Sequence, residues 1–139
     1  MTIELNVVTP EGQAFKGSVR SVVLPGTEGD FGVLEGHEVF LTGLRIGEMQ
    51  VEKSDGGEVY AALSRGFAEV RQRSVTVMVG TCEFAHEIDV DRAELARERA
   101  QRQLSAYRAT VEGAETYEEY QDAYSRALTR LAVFKHLRP

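Results

Sequence analysis

The residues best suited to ionic recognition in this sequence are the arginines of its C-terminal part. After position 86 the chain carries ten acidic and nine basic residues, and eight of those nine bases are arginine. A guanidinium group is planar and donates paired hydrogen bonds to carboxylate or phosphate oxygens. We therefore expect the C-terminal part to suit acidic or phosphorylated partners. The net charge of −6 over the whole chain argues against a nucleic-acid binder, which needs a basic surface.

Residue types that act as nucleophiles, general bases or metal ligands are few and scattered. None of the three histidines, His37, His86 and His136, has further ligands at a spacing typical of a zinc site. Cys82 has no cationic neighbour in the sequence to activate its thiol, and we predict an ordinary β-strand residue. The sequence contains no nucleophile elbow, His-Glu-x-x-His motif or Cys-x-x-Cys motif. It therefore predicts neither a catalytic centre nor a metal site.

Segment 24–37 has the highest density of glycine and ends at His37. A loop that binds phosphate is one interpretation, but the segment lacks the Gly-Lys-Ser/Thr ending of a P-loop. It also lacks the strand-loop-helix context of a dinucleotide-binding motif. Glycines in a β-rich region more often mark bulges and tight turns. We predict structural turns here, with a protein-docking loop as the functional alternative.

The elements that must position these residues fall into two groups. Twelve of the thirteen glycines lie within the first 80 residues, where short apolar segments alternate with turn residues. This pattern predicts an antiparallel sandwich or barrel rather than a parallel sheet. Pro25 is predicted to end one strand, and Asp55-Gly56-Gly57 predicts a hairpin with a type I′ turn. The predicted strands are 3–7, 19–24, 39–44, 49–53, 59–63, 67–71 and 74–79.

From Asp89 onward the apolar residues recur every three or four positions, as on one face of a helix. A first helix is predicted to begin near Asp89 as N-cap, with Asp91 in its first turn, and to end at Gly113. Thr116 and Glu119 form a capping box that predicts the start of a second helix. The first apolar stripe is Ala93, Ala96, Ala100, Leu104, Tyr107 and Val111; the second is Tyr117, Tyr120, Tyr124, Ala127, Leu131 and Phe134. The short connection predicts an antiparallel hairpin, whose narrow seam would leave it only marginally stable alone and therefore movable.

Several segments resemble the ε subunit of bacterial F-type ATP synthases, and the resemblance runs through the whole chain in order. The segment 28–34, Glu-Gly-Asp-Phe-Gly-Val-Leu, is similar to a signature loop of that family, together with Leu24-Pro25-Gly26 and Gly36-His37. Segments 5–12, 66–70, 75–77 and 125–131 agree as well. Glu35 departs from the pattern, because the family often has proline there, and so does the stretch Glu38-Val39-Phe40.

The resemblance implies an α+β fold with an N-terminal antiparallel β-sandwich of about ten strands followed by a C-terminal antiparallel two-helix hairpin. It places the rotor-docking sandwich at residues 1–86 and the regulatory hairpin at residues 87–139. The implied role is that of a non-catalytic central-stalk subunit, which couples ion translocation to ATP synthesis carried out by other subunits. The implied partners are the γ subunit and the c-ring, with the α and β subunits added when the hairpin extends and inhibits ATP hydrolysis. The expected location is peripheral, on the cytoplasmic face of the bacterial plasma membrane, with membrane contact only through the complex.

The same resemblance implies a regulatory ATP site at the junction of the two parts. Ile88, Asp89, Arg92 and Ala93 are similar to an Ile/Leu-Asp-x-x-Arg-Ala motif with which some ε subunits bind ATP. The family site also uses an acid upstream and two arginines of the second helix; the corresponding residues here are Glu83, Arg126 and Arg130. Arginines would contact the phosphates, and the acids would accept hydrogen bonds from adenine or ribose. No cofactor is otherwise expected.

Two alternatives stay open at the level of sequence. Helix capping explains Asp89 as well as nucleotide binding does, and Arg126 is equally explained as an exposed i,i+4 partner of Asp122. A free-standing nucleotide-sensing module, in which the hairpin folds on ATP, is the functional alternative to a rotor subunit.

Overall fold

The structure is a computed structural model that describes residues 1–107 and 114–137. Strands come first and helices second along the described chain, which confirms the predicted α+β class. The strands are β1 (Ile3–Thr9), β2 (Gly12–Gly26), β3 (Gly29–Val33), β4 (Phe40–Leu44), β5 (Gly47–Lys53), β6 (Glu58–Leu63), β7 (Gly66–Val70), β8 (Ser74–Val79) and β9 (Cys82–Phe84). A short 3₁₀ helix, Ala85–Glu87, leads into the helices α1 (Val90–Ala106) and α2 (Ala114–Lys135). The described residues thus contain nine strands, against about ten expected.

The long strand β2 joins the two layers of a β-sandwich. Its first half pairs with β1, and its second half pairs with β5 and β3. One layer continues in the order β1-β8-β7-β4, and the other continues from β5 to β6 and β9. The pairings are antiparallel except that of β1 with β8, which is parallel. The predicted antiparallel sandwich is therefore confirmed, with one parallel pair that the local pattern did not indicate.

The core of the sandwich follows from strict alternation along its strands. Ile3, Leu5 and Val7 on β1 are at most 1% exposed, whereas Glu4 points to solvent. The parallel neighbour β8 contributes alternate apolar residues in the same way, with Val75 and others wholly buried. Removal of these side chains from water supplies the main driving force for folding of the sandwich.

The hairpin between β5 and β6 is confirmed, but its turn is not of type I′. Gly56 has a φ of 94°, and no residue other than glycine has a positive φ among the described residues. The backbone N–H of Gly56 donates to the carbonyl of Lys53 over 2.9 Å, and the N–H of Lys53 donates to the carbonyl of Gly57 over 2.7 Å. This is the three-residue loop in which a type I turn is followed by one left-handed glycine.

Pro25 does not end its strand, and the glycine-rich segment is more regular than predicted. Strand β2 continues through Pro25 to Gly26, and Pro25 pairs with Asp30 of β3. A proline lacks the N–H donor, but the carbonyl of Pro25 accepts the backbone N–H of Arg45 over 2.9 Å, so only one ladder position loses a bond. The strand β3 was missed because its two glycines hide the alternation of apolar residues.

The helices confirm the predicted hairpin but begin and end at other residues than the sequence indicates. Helix α1 ends at Ala106, and Tyr107 is already extended, so the helix stops short of the predicted end. Helix α2 already includes Ala114, which places Thr116 inside the helix rather than at its start, and the capping-box prediction is wrong on this point. Val111 and Gly113 lie outside the described residues. The end of α1 contacts the start of α2 through Tyr107, whose ring centroid lies 5.1 Å from that of Tyr117, so the helices run antiparallel.

Candidate functional site at the junction of sandwich and hairpin

A cavity of about 660 Å³ lies where β9, the 3₁₀ helix and the start of α1 meet the second half of α2. Five of the seven predicted site residues line it, namely Glu83, Asp89, Arg92, Ala93 and Arg130. Its volume falls within the range of roughly 300–1,000 Å³ that is typical of ligand pockets. The structure therefore brings together residues that are up to 47 positions apart in sequence, as the Glu83–Arg130 contact shows.

Strand β9 and the cap of α1 hold the acidic side of this cavity. Glu83 lies on β9, which pairs with β6 so that Glu83 is opposite Ala62. Asp89 is the N-cap of α1, as predicted, and its carboxylate accepts the backbone N–H of Arg92 over 3.1 Å. This contact places the Arg92 side chain on the first turn of α1, at the cavity wall. The capping hydrogen bond thus uses one carboxylate oxygen of Asp89 and fixes the backbone of Arg92 in the first turn of α1.

Arg130 crosses from α2 to the sandwich and forms an ion pair with Glu83. The Arg130 Nε lies 2.5 Å from the Glu83 Oε1, and both side chains are about two-thirds buried. Partial burial weakens solvent screening, so this pair is stronger than a surface ion pair of the same length. An anion that enters the cavity would therefore meet an arginine already oriented by a carboxylate.

Ile88 and Arg126 are placed differently from the other predicted residues. Ile88 is 6% exposed and packs in an apolar cluster with Ala93 and Val133, so it supports the site rather than lines it. Arg126 lies beside a separate, very small cleft that it shares with Arg130 and Glu83. It is thus next to the cavity, one helical turn before Arg130, without lining it.

The predicted i,i+4 pair between Asp122 and Arg126 is not formed. The carboxylate of Asp122 instead accepts hydrogen bonds from Arg65 of the sandwich, over 2.7 and 3.3 Å. Hydrogen bonding to Arg65 holds the pKa of Asp122 below its ordinary value and raises the pKa of Arg65. Sequence spacing favoured the helical neighbour, but the sandwich presents a guanidinium with better geometry for two parallel bonds.

Further charged residues around the cavity were not found from sequence. The β1–β2 turn contributes Glu11, the 3₁₀ helix contributes Glu87, and α1 contributes Arg99. Together with the predicted residues, four acids and three arginines line the cavity: Glu11, Glu83, Glu87 and Asp89, and Arg92, Arg99 and Arg130. Glu11 lies some 70 positions from the motif, and only the fold brings it there. The mixture suits a ligand that has both anionic and hydrogen-bond-donor groups.

Cys82, which also lines this cavity, is an inert residue of β9. It lies on the strand predicted for it, and burial raises the pKa of its thiol to about 12, with Glu87 and Glu83 adding to the effect. The thiol therefore stays protonated at physiological pH and is a poor nucleophile. Among residues 1–107 and 114–137 no group of three or more histidine, cysteine or acidic side chains is arranged to hold a metal ion.

The hairpin is attached to the sandwich by apolar packing and by ion pairs along α2. Val133 is fully buried and packs with Ala62 and Ala85 of the body and with Ala93 of α1. The apolar stripe predicted for the second helix included Leu131 and Phe134 but not Val133. A helix that packs between two surfaces has buried residues on more than one stripe. Asp122 and Arg130 of α2 form ion pairs with Arg65 and Glu83 of the body. His136, just past the end of α2, lies within hydrogen-bond distance of Glu48. The contact is therefore long but partly polar.

A second feature of the body is an apolar face that remains exposed. Leu41, Phe67 and Met78 lie on the adjacent strands β4, β7 and β8 and are 42–66% exposed. The register places Phe67 opposite both Gly43 and Met78, so these side chains share one face with Leu41, two residues before Gly43. Large exposed apolar side chains grouped in this way mark an interaction surface.

The fold and the junction define a class of protein in which a helical hairpin is folded against a β-sandwich. Nothing among the described residues forms a catalytic constellation. None of the described helices has the length and apolarity needed to cross a bilayer. Residues 2–85 match the model of the beta-sandwich domain of the ATP synthase delta/epsilon chain, and residues 86–135 match that of its long alpha-helix domain. The chain belongs to the ATP synthase delta/epsilon chain family.

Individual relatives agree with this assignment. The ATP synthase epsilon chain of Nitratidesulfovibrio vulgaris is 39% identical over 132 residues, which cover 95% of each chain. That of Staphylococcus haemolyticus is 46% identical over 104 residues, which cover 74% of this chain and 77% of the relative. A chain in the mitochondrial ATP synthase of Euglena gracilis has the same fold, with a TM-score of 0.80 at 22% identity over 94% of this chain and 80% of that one.

Proposed function

We propose that this chain is a non-catalytic subunit of the rotor of an F-type ATP synthase. In this role it couples ion translocation through the c-ring to ATP synthesis in the catalytic head. The observation that carries the proposal is that one chain has both an exposed apolar face on its sandwich and a helical arm held to that sandwich by partly polar contacts. A rotor subunit needs a permanent docking surface, and a regulatory arm needs an attachment weak enough to open. Membership of the epsilon-chain family favours this role over a free-standing nucleotide sensor.

The exposed apolar face is the surface we assign to the γ subunit, with the c-ring as the second partner of the sandwich. Burial of Leu41, Phe67 and Met78 would remove the exposed large apolar side chains of β4, β7 and β8 from water, which is the main source of affinity at such interfaces. Association with the c-ring would place the chain at the cytoplasmic face of a bacterial plasma membrane. Its contact with the membrane is through the complex.

The helical hairpin is the part we assign to inhibition of ATP hydrolysis. Release of α2 would break two ion pairs and the His136–Glu48 contact with the body, and would expose the apolar cluster around Val133. An extended hairpin would then offer that apolar surface and the arginines of both helices to the α and β subunits of the head. Because docked and extended forms compete, any ligand specific to the docked form relieves inhibition.

Co-purification tests the rotor role. The chain is expected to purify with γ and to sediment with membranes, and Leu41→Asp is expected to reduce recovery of γ by about tenfold or more, since truncating a central interface residue often costs over 1.4 kcal/mol. Leu128→Asp is the matched control, because Leu128 is an exposed leucine of α2 that lies off this face. A chain that stays soluble and alone would support the free-standing sensor instead.

We further propose that the cavity at the junction binds ATP as a regulator. The donor set fits such a ligand, because Arg92 and Arg130, with Arg99 nearby, suit phosphate oxygens, and Glu83 and Asp89 suit the amino and hydroxyl groups of a nucleoside. Bound ATP would supply negative charge between α1 and α2. The residues that would contact it belong to the body, to α1 and to α2. Because these residues are together only in the docked form, binding would favour the docked hairpin.

ATP is therefore expected to raise the melting temperature of the isolated protein. At 100 times the dissociation constant, ligand binding stabilises the folded form by roughly 2.7 kcal/mol, which corresponds to a shift of several degrees. Arg130→Gln is expected to abolish the shift, while Arg102→Gln, which changes an exposed arginine of α1 outside this cavity, is expected to retain it. No shift in the unaltered chain at millimolar ATP would contradict the proposal.

A further inference from the structure

The C-terminal end of α2 carries a contact with the sandwich that neither apolar packing nor the ATP cavity explains. His136 follows the last helical residue, and its backbone N–H donates to the carbonyl of Val133 over 3.1 Å. Its Nε2 lies 2.7 Å from the Oε1 of Glu48 on β5. These two residues are 88 positions apart, so the contact exists only while the hairpin is docked.

The imidazole ring of His136 is fixed by a second contact, with Tyr60 of β6. The two rings are parallel within 5° and their centroids are 3.6 Å apart. The hydroxyl of Tyr60 donates to the carboxylate of Glu58 over 2.8 Å. This hydrogen bond, together with burial and the nearby acids, raises the pKa of Tyr60, so the phenol stays neutral wherever histidine titrates. Stacking on a neutral phenol therefore holds the ring in place over the whole range in which histidine side chains change charge.

Acidic groups of the sandwich lie close to His136. Glu48 is its direct partner, and Glu58 lies behind the stacked ring. His136 also lies at the C-terminal end of α2, where the helix dipole stabilises a cation. Opposing these are Lys135, its neighbour in sequence, and His86 of the 3₁₀ helix, which lines the same small cleft. The titratable and charged groups that face it are thus Glu48 from β5, Glu58 and Tyr60 from β6, His86 from the 3₁₀ helix and Lys135 from its own chain end.

We propose that His136 and Glu48 form a pH-sensitive latch that holds the end of the hairpin on the sandwich. Histidine side chains change charge between about pH 5 and 8. A protonated His136 forms an ion pair with Glu48, and this pair is lost when the hairpin leaves. The docked state is therefore favoured at the acidic end of the range and loses this contribution as the pH rises. An alkaline shift of the solution around the body would loosen the arm.

The size of the effect follows from the exposure of the pair. Both side chains are 36–40% exposed, so solvent screens the interaction and its contribution is that of a surface ion pair. We expect the ratio of docked to released hairpin to fall about two- to fivefold between pH 5.5 and 8.5.

The test is a distance measurement in the full chain. Dyes insensitive to pH are attached to cysteines introduced at Ser54 in the β5–β6 turn and at Gln121 on α2, with Cys82→Ser, and energy transfer is followed in enough urea to populate both states. The expected result is that the docked fraction falls with pH in this chain, while His136→Phe, which retains a ring to stack on Tyr60, shows no such fall. Glu48→Gln is expected to behave like His136→Phe. His86→Asn is the control, because His86 is a histidine of the same cleft that is not the hydrogen-bond partner of Glu48.

Equal pH dependence with and without His136 would overturn the latch. The inference rests on the proposed mobility of the hairpin, so Val133→Asp is included to mark the distance of the released state. If Val133→Asp gives the docked distance, the hairpin does not leave the body, and both the latch and the proposed inhibitory role fail. If Val133→Asp gives a longer distance but the fall with pH persists in His136→Phe, only the latch fails.

Discussion

Replacing Val133 with aspartate is expected to release the hairpin from the sandwich while the sandwich itself stays folded. Val133 of α2 is fully buried in an apolar cluster with residues of α1, the 3₁₀ helix and β6. Burial of an unpaired carboxylate costs several kcal/mol, which exceeds what a few partly exposed ion pairs contribute. The core of the sandwich is a separate apolar cluster, so it does not depend on Val133.

Energy transfer between the body and α2, as described for the latch, measures this release, and far-UV circular dichroism shows whether the strands persist. Ser125→Asp is the matched control: it adds the same charge at an exposed position about two turns earlier on the same helix. The control should leave the distance unchanged. A Val133→Asp chain that keeps the docked distance, or that loses its strands as well, would show that hairpin and sandwich form one cooperative unit.

Replacing Gly66 with alanine is expected to destabilise the sandwich by about 1–3 kcal/mol, the typical range for overpacking a well-packed site. Gly66 begins β7 between Leu44 of β4 and Val79 of β8. A Cβ atom there would lie 1.9 Å from the carbonyl oxygen of Met78 and 2.8 Å from the Cα of Val79. Both are backbone atoms of the neighbouring strand, so the strand itself would have to move.

Urea unfolding of the full chain measures this effect as a lower transition midpoint. Gly32→Ala provides the control, since it is also a glycine within a strand and its added Cβ would meet only the Val23 side chain, at 3.9 Å. The control should be neutral or slightly stabilising, because alanine has fewer unfolded conformations than glycine. Equal midpoints for the two variants would mean that β7 and β8 are not packed as closely as described.

The parts of the fold that sequence predicted correctly are those set by local chemistry. Alternation identified β1 and β8, the Asp-Gly-Gly segment identified the β5–β6 hairpin, and Asp89 was correctly assigned as an N-cap. The errors arose where a contact distant in sequence decides the outcome. Pro25 stays in its strand because Arg45 bonds to its carbonyl.

The predicted nucleotide site shows the same division. Glu83, Asp89, Arg92 and Ala93 lie around one cavity because β9 and the start of α1 are nearly consecutive in the chain, and ATP binding there stays a prediction. Two pairs could not be predicted from the sequence: Asp122 with Arg65 rather than Arg126, and His136 with Glu48. Spacing along a helix indicates only which residues are neighbours on that helix. Val133 was missed for a related reason: the helix has two buried sides, and one stripe describes only one of them.

Under the proposals above, the attachment of the arm would respond to both nucleotide and pH. Apolar packing at Val133 holds it, the Glu83–Arg130 pair lies at the proposed nucleotide cavity, and the His136–Glu48 pair lies at its end. Each contact belongs only to the docked state, so each biases the same two-state equilibrium. In the proposed function, the hairpin and not the sandwich controls the rate of ATP hydrolysis.

The most direct test of this claim is ATP hydrolysis by the assembled synthase carrying either the full chain or a chain that ends before Asp89. Both enzymes must contain equal amounts of γ and of the sandwich, which immunoblotting verifies. If the hairpin inhibits, its removal should raise hydrolysis by about fivefold or more, the lower end of typical coupling between sites. Equal hydrolysis by the two enzymes would contradict the account, and would leave the hairpin as a structural appendage of the rotor.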